Sequence, residues 1–386
     1  MNFVALRMLV GDKARYIGIV IGLTFASLLI TQQSAIFAGL MTRTYGTITD
    51  MGYADVWVMD EKVQFIDDVK PLQDTELFRV RGVEGVAWAV PLYKGLLKAR
   101  LDNGSFQTCN VIGLDDATLI GGPPEMVEGR LEDLRRADGV IVDENGASGK
   151  LARQPREPGG RPVPLRVGDT LELNDHRAIV VGVCRVSRTF QSQPVVYTTY
   201  SRAVTFAPQE RKLLSFVLAE AAEGTSPEEL CARIEKATGL MALTADEFKD
   251  MTIRYFMKYT GIPISFGTVV LLGFVVGIAI AGQTFYNFTL DNLRHFGALK
   301  AMGTRHGTLV RMILVQASVV GTIGYGLGVG LAAIFGKATS GTEVAFRMPW
   351  QLLAISAGAV LVIVAFAALL SIRKVLRLEP AVVFRS

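Results

Sequence analysis

One long apolar segment near the N-terminus, Tyr16 to Leu40, is separated by more than two hundred mostly polar residues from three more near the C-terminus. The later segments run from Ile262 to Tyr286, Met312 to Phe335 and Trp350 to Ile372, and none of the four contains Asp, Glu, Lys or Arg. A spanning helix needs about 20 apolar residues to cross ~30 Å of hydrocarbon, and one charge at its centre would cost roughly 2.5 to 3.5 kcal/mol. The pattern therefore predicts an integral membrane protein with four transmembrane helices and a large domain inserted after the first. The first segment exceeds the roughly 7 to 15 apolar residues of a secretory signal, and no A-x-A site ends it, so it is read as a retained anchor.

Lys and Arg in the short connections set the orientation. Arg7, Lys13 and Arg15 precede the first span, Arg294, Lys300, Arg305 and Arg311 lie between the second and third, and Arg373, Lys374 and Arg377 follow the fourth. The loop between the third and fourth spans carries only Lys337 and Arg347. The basic sides should face the cytoplasm, which puts both termini inside and the large domain outside. The expected organisation is a cytoplasmic N-terminal helix over 1–15, spans over 16–40, 262–286, 312–335 and 350–372, and an exported domain with a stalk over 41–261. A cytoplasmic loop over 287–311, a short outer loop over 336–349 and a cytoplasmic tail over 373–386 complete it.

The formal net charge of +4 and the half-apolar composition suit a membrane protein. No dense basic run points to nucleic acid, and the basic residues are explained by topology. Cys109, Cys184 and Cys231 all fall in the exported region, and three cannot all pair with one another. Cys109 and Cys184 lie in strand-like apolar runs and are read as buried thiols.

The exported region is long enough for its own core and is expected to hold two lobes of mixed α+β structure. Strand signals are Ala54 to Met59, Gly95 to Leu101, Phe106 to Ile112, Val140 to Val142, Thr170 to Leu173, Ala178 to Val183 and Val195 to Thr198. Capping boxes at Ser226-Pro227-Glu228-Glu229 and Thr244-Ala245-Asp246-Glu247 predict two helices. The second should run from Ala245 toward Lys258 as a stalk to the second span, with a kink near Gly261 and Pro263. Arg153 to Pro164, rich in Pro, Gly and Arg, reads as an exposed loop.

Glycines recur at helix-packing spacing: Gly18 and Gly22 in the first span, Gly273 and Gly277 in the second, and Gly321, Gly324 and Gly328 in the third. Gly326 and Gly330 add to the third span, which is the candidate for the tightest helix contact. Packing within one subunit and a dimer seam are equal readings. The polar residues Thr24, Ser27, Gln32, Gln33, Gln283 and Gln316 either bond between helices or line a path, and none is charged, which argues against an ion relay.

Enzyme signatures are missing from the sequence. His176 is placed across the membrane from His295 and His306, so these three cannot share a metal, and no G-x-S-x-G elbow occurs. Gly149-Lys150 is followed by Leu151 and Gly336-Lys337 by Ala338, where a phosphate-binding loop needs Ser or Thr.

Between the second and third spans, Leu293-Arg294-His295-Phe296-Gly297-Ala298-Leu299-Lys300-Ala301-Met302-Gly303 reads as a short helix ended by Gly303. Leu293, Phe296 and Leu299 share one face, interrupted by Lys300. This string resembles the R-E-x-G-x-L-R-A-x-G segment of FtsX-like and MacB-like ABC transporter permeases, with His295 in place of the acidic residue and Lys300 in place of Arg. Glu128-Gly129-Arg130-Leu131, Val140-Ile141-Val142-Asp143, Val167-Gly168-Asp169-Thr170-Leu171 and Ile179-Val180-Val181-Gly182-Val183 resemble, in order, the MacB-like periplasmic core domain of that family. Leu378-Glu379-Pro380-Ala381-Val382-Val383-Phe384 is similar to the ending of its DevC-like branch.

The resemblance implies a membrane α-helical fold with an inserted α+β periplasmic domain, in the bacterial inner membrane. It implies a half-transporter with no cofactor of its own, working as a homodimer with a separate ABC ATPase subunit that binds ATP and magnesium. Leu293, Arg294, Phe296, Gly297, Leu299, Lys300, Met302 and Gly303 would form the coupling helix, with Phe296 and Leu299 entering the ATPase. A periplasmic adaptor and an outer-membrane duct are the further partners implied, for export of a lipid or other amphiphile by mechanotransmission. The alternatives on the same scaffold are an FtsX-like signalling subunit that activates a cell-wall hydrolase and a lipoprotein-release permease. A receptor or adhesion module with no motor is the reading outside this class.

Overall fold

A computed structural model describes residues 2–52, 54–153, 162–208 and 214–377. The C-terminal motif from Leu378 and most of the loop after Arg153 lie outside the described residues. The helices are α1 Asn2–Gly11, α2 Lys13–Thr44, α3 Gly46–Asp50, α4 Asp74–Arg81, α5 Glu144–Ser148, α6 Tyr200–Phe206, α7 Pro227–Thr238, α8 Ala245–Tyr259, α9 Ile262–Asp291, α10 Leu293–Ala301, α11 His306–Ala338 and α12 Trp350–Leu376. The strands are β1 Val56–Met59, β2 Val86–Arg100, β3 Phe106–Leu114, β4 Glu125–Glu128, β5 Gly139–Asp143, β6 Thr170–Leu173, β7 His176–Arg185, β8 Val195–Thr199, β9 Phe216–Ala221 and β10 Met241–Thr244. The chain divides into two compact units, one of Met1–Leu40 with Gly261–Ser386 and one of Met41–Thr260.

In the first unit α2, α9, α11 and α12 are each long and apolar enough to cross a membrane. Glycines set their packing, because a missing side chain lets two backbones approach. A Cβ at Gly18 would meet Thr284, at Gly22 Ile280, at Gly277 Ala26 and at Gly273 Leu29, so α2 and α9 run antiparallel. Gly324 lies against Leu23 and Gly328 against Ser27, which makes α2 and α11 parallel. Gly277 also touches Ile363, and Ser371 Oγ donates to the Phe285 carbonyl at 3.3 Å, so α9 and α12 run the same way. The helices thus alternate in direction along the chain, and α1, α10 and the end of α12 lie at one end of the bundle. At the opposite end the Arg347 amide donates to the Ala35 carbonyl at 3.0 Å. The outward faces carry apolar side chains such as Ile264, Leu272, Ile334, Ile355 and Leu361, each more than half exposed, as a lipid-facing surface requires.

The second unit is built on one ten-stranded sheet path, β10-β1-β9-β2-β3-β8-β5-β7-β4, with β6 pairing β2 and β7 off that path. The two expected lobes are one compact unit, because β2 belongs to both halves of the sheet. Its first half, Val86 to Leu92, pairs antiparallel with β9, and from Tyr93 onward it pairs antiparallel with β3. β1 lies between β9 and β10 and is buried on both faces. Val56 and Val58 join Val80, Leu230 and Ile234, while Trp57 and Met59 join Phe216 and Phe248, as the two-residue period of a strand demands.

The start of β2 and all of β4, β9 and β10 were not among the strand signals. Pro91 lacks an amide for the ladder and reads as a breaker, yet it occupies the end of the β9-paired half, opposite Val217. The strands β4 and β10 have only four residues each, too few for alternation to register. Of the two capping boxes, Thr244 and Glu247 make both reciprocal bonds. At α7 only half forms: Ser226 Oγ accepts from the Glu229 amide, while the Glu229 carboxylate is drawn 2.7 Å to Arg233 one turn on.

The kink expected at Gly261 and Pro263 is instead a break at Thr260. Thr260, at φ −115° and ψ 154°, ends α8, and its Oγ1 donates back to the Phe256 carbonyl at 2.5 Å. Pro263 then sits in the first turn of α9, where the amide it lacks would have had no helical partner.

Candidate functional site

The connection between α9 and α11 is a capped helical corner. Asn292 Nδ2 donates 2.9 Å to the Phe288 carbonyl and closes α9, and the Asn292 carbonyl accepts the Phe296 amide at 3.1 Å to open α10. Gly303, at φ +85°, ends it as the sequence predicts. The Gly303 amide bonds the Lys300 carbonyl at 3.0 Å and the Thr304 amide bonds the Leu299 carbonyl at 3.1 Å, a Schellman pair that needs the left-handed residue glycine supplies.

The face that the sequence assigns to the ATPase turns inward. Phe296 is wholly buried in the bundle core with Phe288, Leu309 and Met312, Gly297 is buried beside it, and Leu293 and Leu299 pack partly buried against the same cluster. Lys300 does not break a docking face; its Nζ donates 3.2 Å to the carbonyl of Leu376, at the end of α12, where helical carbonyls lack internal partners. What α10 and its capping residue offer to solvent is Arg294, His295, Ala298, Ala301 and Met302, the last 74% exposed. Of these, His295, Ala298 and Ala301 are absent from the sequence-based set. A nine-residue wheel cannot show which side the bundle occupies, and only the positions of α11 and α12 do.

The seven glycines singled out in the spans each face a neighbouring helix of the same chain, whereas a Cβ at Gly326 or Gly330 would meet nothing within 4 Å. Span polar groups also bond between helices: Gln316 Nε2 donates 2.8 Å to the Ala5 carbonyl, Ser27 Oγ 3.3 Å to that of Tyr325, and Tyr325 Oη 2.8 Å to that of Leu353.

In the second unit, the motif Val140 to Asp143 forms β5 and ends on a buried carboxylate. Asp143 accepts the Val195 amide at 2.7 Å and the Gly146 amide at 2.9 Å, tying β8 to the start of α5. Burial raises its pKa, and the bonds from Val195 and Gly146 and the charge of Arg188 oppose that rise. Cys109, Cys184 and Cys231 are buried free thiols. Burial, with the nearby Asp143 charge, pushes Cys109 up to about 12, and burial, with the charges of Glu247, Glu235 and Glu228, pushes Cys231 up to about 12. Such thiols stay protonated at neutral pH and are poor nucleophiles. Among the described residues no group of three or more His, Cys, Asp or Glu side chains is placed to hold a metal ion.

Four membrane-length helices, a folded α+β insert after the first and a braced corner between the second and third define the class: a multi-span membrane subunit with a large domain outside the bilayer. The chain belongs to the FtsX-like and MacB-like ABC transporter permeases, with the MacB-like periplasmic core domain matched over residues 16–237 and the FtsX-like permease C-terminal region over residues 250–380. It is 25% identical over 397 residues, covering 100% of this chain and 99% of the relative, to an uncharacterized ABC transporter permease of Mycobacterium tuberculosis strain H37Rv. The counterpart in strain CDC 1551 matches equally, again at 25% identity over 100% of this chain and 99% of the relative. Among solved structures, the periplasmic region of MacB from Actinobacillus actinomycetemcomitans is similar at 15% identity, covering 55% of this chain and 97% of that one, with a TM-score of 0.37. The extracellular domain of the noncanonic ABC-type transporter YknZ from Gram-positive bacteria is similar at 13% identity over 50% and 98% of the two chains, with a TM-score of 0.34. The two family matches make the protein an inner-membrane ABC permease with a periplasmic domain of MacB-like core type.

Proposed function

We propose that this chain is the permease subunit of an ATP-driven exporter that works by mechanotransmission and moves a lipid or other amphiphile out of the inner membrane or periplasm. Two copies pair, each with an ABC ATPase that holds ATP and magnesium, and both termini with α10 face the cytoplasm. A periplasmic adaptor and an outer-membrane duct carry the cargo onward.

The observation that carries this reading is the bracing of α10. Phe296 is wedged into the bundle core, Asn292 closes the corner to α9, and Lys300 holds the end of α12. A push on the exposed edge of Arg294, Ala298 and Met302 is therefore passed to α9 and α12 rather than lost in a flexible loop, because packed elements shift as units. The positive-inside bias of Arg294, Lys300, Arg305 and Arg311 supports a cytoplasmic position for that edge. The absence of charge along the spans favours a lever over an ion pathway.

The test is co-purification from membranes with a co-expressed candidate ABC ATPase subunit. Met302→Asp should abolish recovery of the ATPase while leaving the permease's melting temperature unchanged. Full recovery with Met302→Asp removes α10 as the coupling element.

A further inference from the structure

At the end of the bundle that holds α10, α1 and the α9–α10 corner enclose a cleft of 770 Å³ lined by Phe3, Arg7, Met8, Lys13, Asp291 and His295 among others. α1 is fixed in place: Ala5 and Leu9 are fully buried in the bundle core, and the Gln316 amide holds the Ala5 carbonyl. The rest of the helix is left open, with Phe3 67% exposed and Val4 and Val10 also exposed, although α2 begins only two residues after α1 ends. Exposed apolar side chains beside the mouth of a spanning helix are satisfied at the boundary between headgroups and acyl chains.

The charges in the cleft are unbalanced. Arg15 is neutralised by both Asp12, at 3.1 Å, and Asp291. Arg7 and Lys13 make no ion pair among the described residues, and the Arg7 guanidinium lies 5.0 Å from the centroid of the Phe3 ring. Arg7 and Lys13, in a lining that carries one net positive charge (Arg7, Lys13 and Arg15 against Asp12 and Asp291) and is walled by Phe3, Val4 and Met8, call for an anion that carries its own apolar part. A free phosphate would leave those apolar walls in water, and an acidic protein segment would leave Phe3 and Val4 no place in the bilayer. Basic pockets at the cytoplasmic ends of spanning helices meet both needs with a lipid.

We propose that this cleft binds the headgroup of an anionic glycerophospholipid from the adjoining leaflet, with the phosphate on Arg7 and Lys13 and the acyl chains along Phe3 and Val4. The bound lipid braces the corner at Asp291, Asn292 and His295 from the side opposite the Phe296 anchor. Binding does not depend on α10 being the ATPase contact.

The test uses the full-length protein in a neutral detergent, with its melting temperature followed during titration with phosphatidylglycerol, phosphatidylcholine, inorganic phosphate or a poly-glutamate peptide. Phosphatidylglycerol should raise the melting temperature in a saturable way, and the other three should not. In Arg7→Gln/Lys13→Gln the phosphatidylglycerol midpoint should weaken by roughly thirtyfold, as loss of two basic contacts implies. Arg373→Gln/Lys374→Gln, which removes two exposed charges at the same end of the bundle but outside the cleft, should leave it unchanged. Should Arg7→Gln/Lys13→Gln lower the basal melting temperature, Lys13→Gln alone, at an exposed position, reads the same midpoint. Equal weakening in the Arg373→Gln/Lys374→Gln control, an undiminished midpoint in the cleft variants, or a shift reproduced by phosphate or by the acidic peptide each overturns the proposal.

Discussion

Gly328 passes so close to Ser27 that a Cβ added to it would lie 2.5 Å from the Ser27 Cβ and 2.8 Å from the Leu28 amide nitrogen. One turn earlier Gly324 stands in the same relation to Leu23, at 2.6 Å. The parallel crossing of α2 and α11 is thus set by two glycines four residues apart, and Ser27 Oγ bonds across it to the Tyr325 carbonyl. Gly328→Leu should destabilise the bundle by about 1–3 kcal/mol, the usual cost of overpacking. Gly330→Leu, which points into open space, should change stability by less than about 0.5 kcal/mol. Thermal melts of the two variants in detergent check the contrast, and equal losses would contradict this packing.

Phe296 is an anchor and Met302 an exposed edge, so truncating them should have opposite consequences. Phe296→Ala should cost about 3–5 kcal/mol of stability as a cavity opens in the bundle core. Met302→Ala should leave the melting temperature within error. A stable Phe296→Ala protein would mean that α10 is not packed as described.

Asp143 should make the protein respond to acid in an unusual direction. Burial raises its pKa in the folded state, so its contribution is fully present below the ordinary carboxylate value of about 4 and is lost as pH rises through the raised value. The difference in melting temperature between the wild type and Asp143→Asn should therefore move in favour of the wild type as pH falls from neutral. Asp143→Ala, which also strands the Val195 and Gly146 amides, should cost about 1–3 kcal/mol more than Asp143→Asn. A pH-independent difference for Asp143→Asn would show that the carboxyl is not perturbed.

The buried thiols should be unreactive in the native protein. With Cys109 and Cys231 pushed up to about 12 and Cys184 also raised by burial, a maleimide reagent at neutral pH should label none of the three until the protein is unfolded. Intact mass before and after denaturation measures this, and native labelling of Cys109 would place it at the surface.

Pro263 should be dispensable for stability. It lies in the first turn of α9, after the chain has already broken at Thr260, so Pro263→Ala removes no helical hydrogen bond. Melting within about 0.5 kcal/mol of the wild type is the expected result. A large loss would show that the proline itself shapes the junction.

Several features were legible before any coordinates because each depends on composition over a long window or on a strict local rule. Spans of twenty or more uncharged residues, the Thr244-to-Glu247 capping box, the stop at Gly303 and the runs Thr170 to Leu173 and Val195 to Thr198 are of this kind. The small-residue spacing of Gly324 and Gly328 was legible too, but not its partner, because spacing names a face and not what lies against it.

What the chain could determine by itself was the number, length and polarity of its elements, since hydrophobic burial and backbone hydrogen bonding act on every residue whatever its distant neighbours. Only the tertiary structure decided that Phe296 looks inward and Met302 outward, that Pro91 lies where β2 passes from β9 to β3, and that Arg7 and Lys13 share a cleft with Asp291. Each of these is a contact between residues far apart in sequence. Its free energy arises only when the intervening chain has folded, and no local pattern encodes it.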